Sequence, residues 1–213
     1  MASSALRRAP ARARRSHAER TAETRARILA AVVESIAEIG FGRTTAAEIT
    51  RRAGVTWGAV QHHFGDKDGI LVAVLEDSFE RFAVRLEDAQ IAEAPLERRV
   101  ALFVERAWEH FSSREYASTF EILLDHLRRG EPPARGGASW QTRMSRAWDR
   151  VWRHFFAGTP ISRRRHGELQ HYTISVLSGL ASMLMLEGRG ARVRAAELDL
   201  LRGTLVRELA TQA

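Results

Sequence analysis

The chain has 213 residues, with 33 Lys+Arg against 26 Asp+Glu and no cysteine. Disulfides and thiolate metal sites are excluded, and the length suits one large domain or two small ones with a real core. The net charge of +7 is uneven: residues 1–67 hold twelve basic residues against six acidic, so the first third is where a polyanionic partner is expected.

Residues 1–20 carry six Arg and one Glu, with no apolar run of the kind a signal peptide needs. They read as a disordered basic arm, suited to phosphate contact or to solubility. Residues 22–39 put Ile28, Leu29, Val32, Ile36 and Ile39 on one stripe, stopped by Gly40. Thr45 to Glu48 has the form of a capping box opening a short helix that Gly54 ends. Thr56 caps the next helix, and Asp66 caps a long one running to about Gln90. Its inner face holds Ile70, Leu71, Val74, Leu75, Ser78 and Phe82. Further helices are expected from Pro95 to Ser112, over 114–129, 139–157, 162–187 and 194–211. Gly130 to Gly137 is the clearest internal loop. No alternating β pattern interrupts this series, so the fold class is all-α with about nine helices. The uncharged stretch from Tyr172 to Leu186 reads as too short to span a bilayer, so no membrane is expected and the location is read as cytoplasmic.

Residues 44–64 form a helix, a tight turn at Ala53-Gly54-Val55 and a second helix, locked by Ile49, Ala53, Val55, Val60 and Phe64. That is a helix-turn-helix, whose second helix enters the DNA major groove. On that helix Val60 and Phe64 turn inward. Trp57, Gly58, Gln61 and His62 turn outward. Glutamine can bond bidentately to adenine. His62 can donate to a phosphate or a base, and Gly58 permits close approach to the DNA backbone. His63 stands nearer the inner edge, suited to a phosphate or a structural hydrogen bond. Lys67 adds its charge, and its helix N-terminus, to a phosphate. As a metal pair His62 and His63 are poorly spaced, because neighbours on a helix point about 100° apart. Glu168 and His171 supply only half of a di-iron motif. No nucleophile elbow or phosphate loop is present, so no enzyme, metal or cofactor is expected.

Residues 24–76, "TRARILAAVVESIAEIGFGRTTAAEITRRAGVTWGAVQHHFGDKDGILVAVLE", resemble the DNA-binding region of the tetracycline-repressor (TetR) family. The matching features are Gly40, Thr44-Thr45, Ala53-Gly54-Val55-Thr56, Gly58, His63-Phe64 and Lys67. The resemblance implies DNA contacts from Thr44, Thr45, Thr56, Trp57, Gly58, Gln61, His62, His63 and Lys67. Gln61 stands where the family often has Tyr, and Trp57 where it often has Lys, Arg or a small residue. The resemblance also implies residues 21–67 as the DNA-binding domain and 68–213 as a helical ligand-binding and dimerisation domain. The function implied is a repressor that binds double-stranded DNA at a near-palindrome as a homodimer. A small apolar or aromatic effector would release it by moving the helix that begins at Asp66. A DNA-binding regulator or architectural factor without an effector is the alternative.

Trp140, Met144, Ala147, Trp148, Val151, Trp152 and Phe155 recur at helical spacing, as a core stripe or the wall of an apolar pocket. His110, Asp125, His126 and His171 are polar candidates nearby. The pocket set expected is Trp108, Phe111, Phe120, His126, Trp148, Trp152 and His171. On helix 162–187, Leu169, Tyr172, Thr173, Val176, Leu177, Leu180 and Leu184 cluster on one side. Ser175, Ser178, Gly179 and Ser182 lie almost opposite, and no charge falls between Glu168 and Glu187. The dimer interface expected is therefore Ser175, Ser178, Gly179, Ser182, Leu201 and Leu205, in a four-helix seam.

Overall fold

The computed structural model describes residues 16–87, 91, 93–129, 139–187 and 194–211. Among them are nine α-helices and one 3-10 turn: α1 His17–Ile39, the turn Phe41–Arg43, α2 Ala46–Ala53, α3 Trp57–Phe64, α4 Lys67–Glu87, α5 Leu96–Phe111, α6 Arg114–Arg129, α7 Trp140–Phe156, α8 Arg163–Glu187 and α9 Ala195–Ala210. The expected loop at Gly130–Gly137, the end of α4 near Gln90 and residues 1–15 of the arm lie outside the described residues.

The first helix starts earlier than the sequence suggests, at His17 rather than after residue 20. Ser16 and Glu19 form a reciprocal capping box there, Ser16 N–H donating to the Glu19 carboxylate at 2.6 Å and Glu19 N–H to Ser16 Oγ at 3.2 Å. At α2 the box is only half made. Thr45 Oγ1 accepts from Glu48 N–H at 3.2 Å, but the Glu48 carboxylate is taken by Arg51 and Arg52. Arg52 also reaches Glu38 of α1 at 2.7 Å, which ties α2 to α1.

Two cores form. The first gathers Ile28, Val32, Ile36, Ile49, Val60, Ile70 and Val74 from α1 to α4, and also Ile122 of α6. The second holds Phe82 and Leu86 of α4 with apolar residues of α5, α7, α8 and α9. The helix α4 therefore feeds both cores, so the expected boundary at 67/68 falls at the start of a helix shared by the two. Gly69 makes the junction possible. A Cβ there would stand 2.0 Å from the Phe64 carbonyl oxygen, so only glycine lets α4 start this close to the end of α3. Asp66 caps α4 by accepting from Gly69 N–H at 2.7 Å.

Candidate nucleic-acid interface and effector cavity

Gly54 at φ 63°, ψ 40° ends α2 in the left-handed conformation that favours glycine, and its N–H returns to the Thr50 carbonyl. The chain then turns over two residues into α3, where Thr56 Oγ1 caps by accepting from Ala59 N–H at 3.3 Å. Val60 is fully buried and Ile49 meets it from α2. Gly58, Gln61 and His62 are exposed on α3, as the helical spacing predicts. Thr45 and Thr56 are exposed at the N-termini of α2 and α3.

Three positions differ from expectation, while His63 keeps its expected place near the inner edge. Thr44 is fully buried, its hydroxyl bonded to Ser35 Oγ at 3.0 Å and to the Gly40 carbonyl at 3.1 Å, so it fastens the α1–α2 connection and is not offered to DNA. Trp57 is half-buried and packs on the first core, so it is only partly an outward residue. Lys67 is half-buried with its ammonium 5.6 Å from the centre of the Phe41 ring, which restrains its reach. Partial burial, then the charges of His62 and Arg25, push the His63 imidazole below its ordinary value, so it would serve as a neutral hydrogen-bonding group rather than a cation. Arg43, exposed in the turn before α2, is an additional cation at this surface. Its position after two glycines (Gly40 and Gly42) gave no helical pattern by which to single it out.

Between α4, α5, α6, α7 and α8 lies a cavity of about 120 Å³. Phe111, Phe120 and Trp148 line it, as expected. The other four expected residues do not. Trp152 is 3% exposed and packs against Phe103 and Phe156 in the second core, with its indole N–H donating to His166 Nδ1 at 3.0 Å. His126 accepts from the Trp140 indole at 2.9 Å. Trp108 packs half-buried on the second core, and His171 is exposed on α8. The tryptophan stripe thus divides: Trp140, Met144 and Trp148 wall the cavity, whereas Val151, Trp152 and Phe155 are packed core.

The cavity also uses residues outside the expected set: Ser78 and Phe79 of α4, His110 of α5, Tyr116, Thr119 and Leu123 of α6, and Ile174 and Ser178 of α8. The spacing 116, 119, 120, 123 was a readable helical face. His110 is buried, stacked on Phe82 at 4.5 Å, and burial lowers its pKa to about 4, so the imidazole is neutral. The Tyr116 hydroxyl lies 3.4 Å from Ser178 Oγ.

The other face of α6 meets the first core. Ser118 Oγ donates to the Val33 carbonyl at 3.2 Å, Phe41 N–H donates to the Glu121 carboxylate at 3.1 Å, and Arg129 pairs with Asp68 at 2.9 Å. One helix therefore touches both the cavity and the helix-turn-helix domain.

On α8, Ser175 and Gly179 are exposed, and a Cβ on Gly179 would meet nothing within 4 Å among the described residues. Tyr172, expected inside, is 43% exposed, and Met183 and Leu186 are exposed beside this face at 45% and 80%. Ser182 is half-buried and bonds the Ser178 carbonyl. Ser178 itself faces the cavity. Leu201 and Leu205, expected at an interface, are 1% and 0% exposed because α9 packs on α5 within the chain. The exposed leucine of α9 is Leu200, at 73%. By length and composition alone α8 could cross a membrane, in contrast to the expectation from the uncharged stretch, and 28% of its apolar window is buried within the chain. Among the described residues no cluster of three or more His, Asp or Glu could hold a metal.

Residues 28–74 match the family described as "Bacterial regulatory proteins, tetR family". The helix-turn-helix region is that of the TetR family. An uncharacterized HTH-type transcriptional regulator of Mycobacterium tuberculosis is 39% identical over 88 residues, covering 39% of this chain and 43% of the relative. The HTH-type transcriptional regulator BetI of Cronobacter sakazakii is 36% identical over 47% of this chain and 50% of its own length. The chain thus spans about half the length of these curated relatives. Among solved structures, the multidrug binding protein EbrR complexed with imidazole superposes with a TM-score of 0.61 at 19% identity, over 89% of this chain and 96% of that one. This likeness is one of fold, and it takes in the C-terminal helices as well as the helix-turn-helix domain.

Proposed function

We propose that this TetR-family chain is a transcriptional repressor that binds a near-palindromic DNA operator as a homodimer and is released by a small apolar or aromatic molecule. The observation that carries the DNA reading is Gly58. It lies in the first turn of α3, at a negative φ, with only Thr56 Oγ1 near a would-be Cβ, at 3.9 Å. Nothing among the described residues requires a glycine there, and glycine costs a helix stability. A surface pressing on α3 from outside accounts for it, and a DNA backbone is such a surface. Gln61 and His62, exposed one turn further on, fit base-edge contact, and Thr45, Thr56 and Arg43 fit phosphate contact. Trp57, His63 and Lys67 serve at the margin.

The homodimer reading rests on α8. Its exposed face carries Tyr172, Ser175, Gly179, Met183 and Leu186 and no charge. A second copy packing there, with Leu200 of α9, would bury that apolar surface and allow close approach at Gly179. The same burial explains an apolar α8 in a protein located in the cytoplasm.

The effector reading rests on the cavity and on α6. Tyr116, Thr119, Phe120 and Leu123 face the cavity, while Ser118, Glu121, Ile122 and Arg129 hold the DNA-binding domain. A ligand that prefers one position of α6 would shift α1 and α4 together, and with them the spacing of the two α3 helices. A regulator with no effector would have little use for a cavity lined by α4 and α6, which both reach the DNA-binding domain.

Selection of bound duplexes from a random DNA pool tests the proposal. A two-fold symmetric site is expected, with half-sites about one helical turn apart. No enrichment over the starting pool would refute sequence-specific binding.

A further inference from the structure

The cavity holds about 120 Å³, somewhat less than the roughly 150 Å³ apolar void that accepts one benzene ring. Met144 on its wall is flexible enough to supply the difference, so a single ring fits. Phe79, Phe111, Phe120, Trp140 and Trp148 give the wall aromatic edges and faces. No Asp, Glu, Lys or Arg is among the described residues that line it. An ion entering would lose its hydration and find no counter-charge on the lining, the nearest carboxylate, Glu115, being paired with Arg81.

Two polar groups at the wall can turn to a ligand. Ser78 Oγ is buried with no hydrogen bond at full length; its one neighbour of that kind is the Glu115 carboxylate, a weak partner because Arg81 already holds it at 2.5 Å. His110 is neutral and so offers one donor and one acceptor nitrogen. Ser78 precedes Phe82 by one turn of α4, and His110 stacks on Phe82, so both groups border the same end of the cavity. A hydroxyl can donate to one of them while accepting from the other. A carbonyl can only accept, and a bare ring leaves both unpaired.

We propose that the cavity takes an uncharged, single-ring aromatic alcohol of the phenol class, its ring among the aromatic walls and its hydroxyl shared between Ser78 Oγ and His110. This rests on the reading of the cavity as the effector site. Titration calorimetry of the full-length protein with phenol, toluene, benzoate and benzyltrimethylammonium tests it, beside displacement of the selected operator by each. Phenol should bind roughly tenfold or more tighter than toluene, its near-isostere, because the unpaired polar groups penalise the latter. Both ions should fail to bind in that range. Ser78→Ala should bring phenol down to the toluene level and leave toluene binding as it was, which also reports that the variant is folded. Toluene binding as tightly as phenol, or either ion matching phenol, overturns the proposal. If toluene matches phenol and still releases the operator, the phenol class fails and the effector reading stands. If phenol shows the Ser78-dependent preference but leaves the operator bound, the class stands and the effector reading fails. If no probe binds, both fail.

Discussion

Replacing Gly58 by alanine should push stability and DNA affinity in opposite directions. The added methyl would have only Thr56 Oγ1 near it, at 3.9 Å, and the backbone φ is negative, so the fold accepts it without strain. Alanine in a helix is favoured over glycine by about 0.5–1 kcal/mol. For a chain of this size that is an increase of roughly 1–4 °C in Tm. If α3 lies against DNA at this point, the methyl must be accommodated in a closed contact, at a cost of about 1–3 kcal/mol. That weakens operator binding by roughly 5- to 150-fold. Thermal melting and fluorescence anisotropy on the selected operator, at one fixed salt concentration, measure both effects. A higher Tm with unchanged affinity would show that the first turn of α3 is not at the DNA. A lower Tm would show that the glycine is needed within the fold.

Gly69→Ala should destabilise by about 1–3 kcal/mol, since its Cβ would stand 2.0 Å from the Phe64 carbonyl, and an unchanged Tm would contradict the close α3–α4 junction. His110 has a folded pKa near 4 against an ordinary 6.5, because of burial, with Arg85 and Arg81 reinforcing and Glu115 opposing. The unfolded chain therefore takes the proton first as pH falls, and stability present above about pH 6.5 is lost between there and pH 4. Urea melts at pH 7 and pH 5 should differ by roughly 2 kcal/mol from this residue, a difference that His110→Leu removes. Gly179→Leu should yield monomers by sedimentation with helicity intact, whereas Leu205→Ala should cost about 2–5 kcal/mol of stability within each chain, and a dimeric Gly179→Leu protein would refute the α8 interface. Gln61→Ala should relax preference at one base position by about 1–3 kcal/mol, and a uniform loss across sequences would exclude direct readout by Gln61.

The helix order and the helix-turn-helix were legible in the sequence because both are local. Caps such as Thr45, Thr56 and Asp66, stops such as Gly40 and Gly54, and the 3.6-residue stripes act within a few residues of themselves. The outward set Gly58, Gln61 and His62 followed from the same period. Periodicity tells which side of a helix is apolar, but not what lies against it. Thr44 sat beside Thr45 in sequence, yet only the arrangement of α1 showed that Ser35 and the Gly40 carbonyl consume its hydroxyl. Leu201 and Leu205 formed an apolar stripe that could have met a second copy or α5, and the chain's own α5 covers it. The stripe from Trp140 to Phe155 looked uniform, but its neighbours change along its length: α6 stands back from Trp140 and Trp148 to leave a cavity, while Phe103 of α5 fills the space beside Trp152. The second role of α6 was likewise invisible, because Ile122 reaches a core whose other members lie about fifty to ninety residues earlier in the chain. Secondary structure and the surface of a short helix are set by near neighbours, so one sequence is enough to read them. Which apolar face closes a core, lines a cavity or stays open is set by contacts between residues far apart in the chain, and only the tertiary structure decides it.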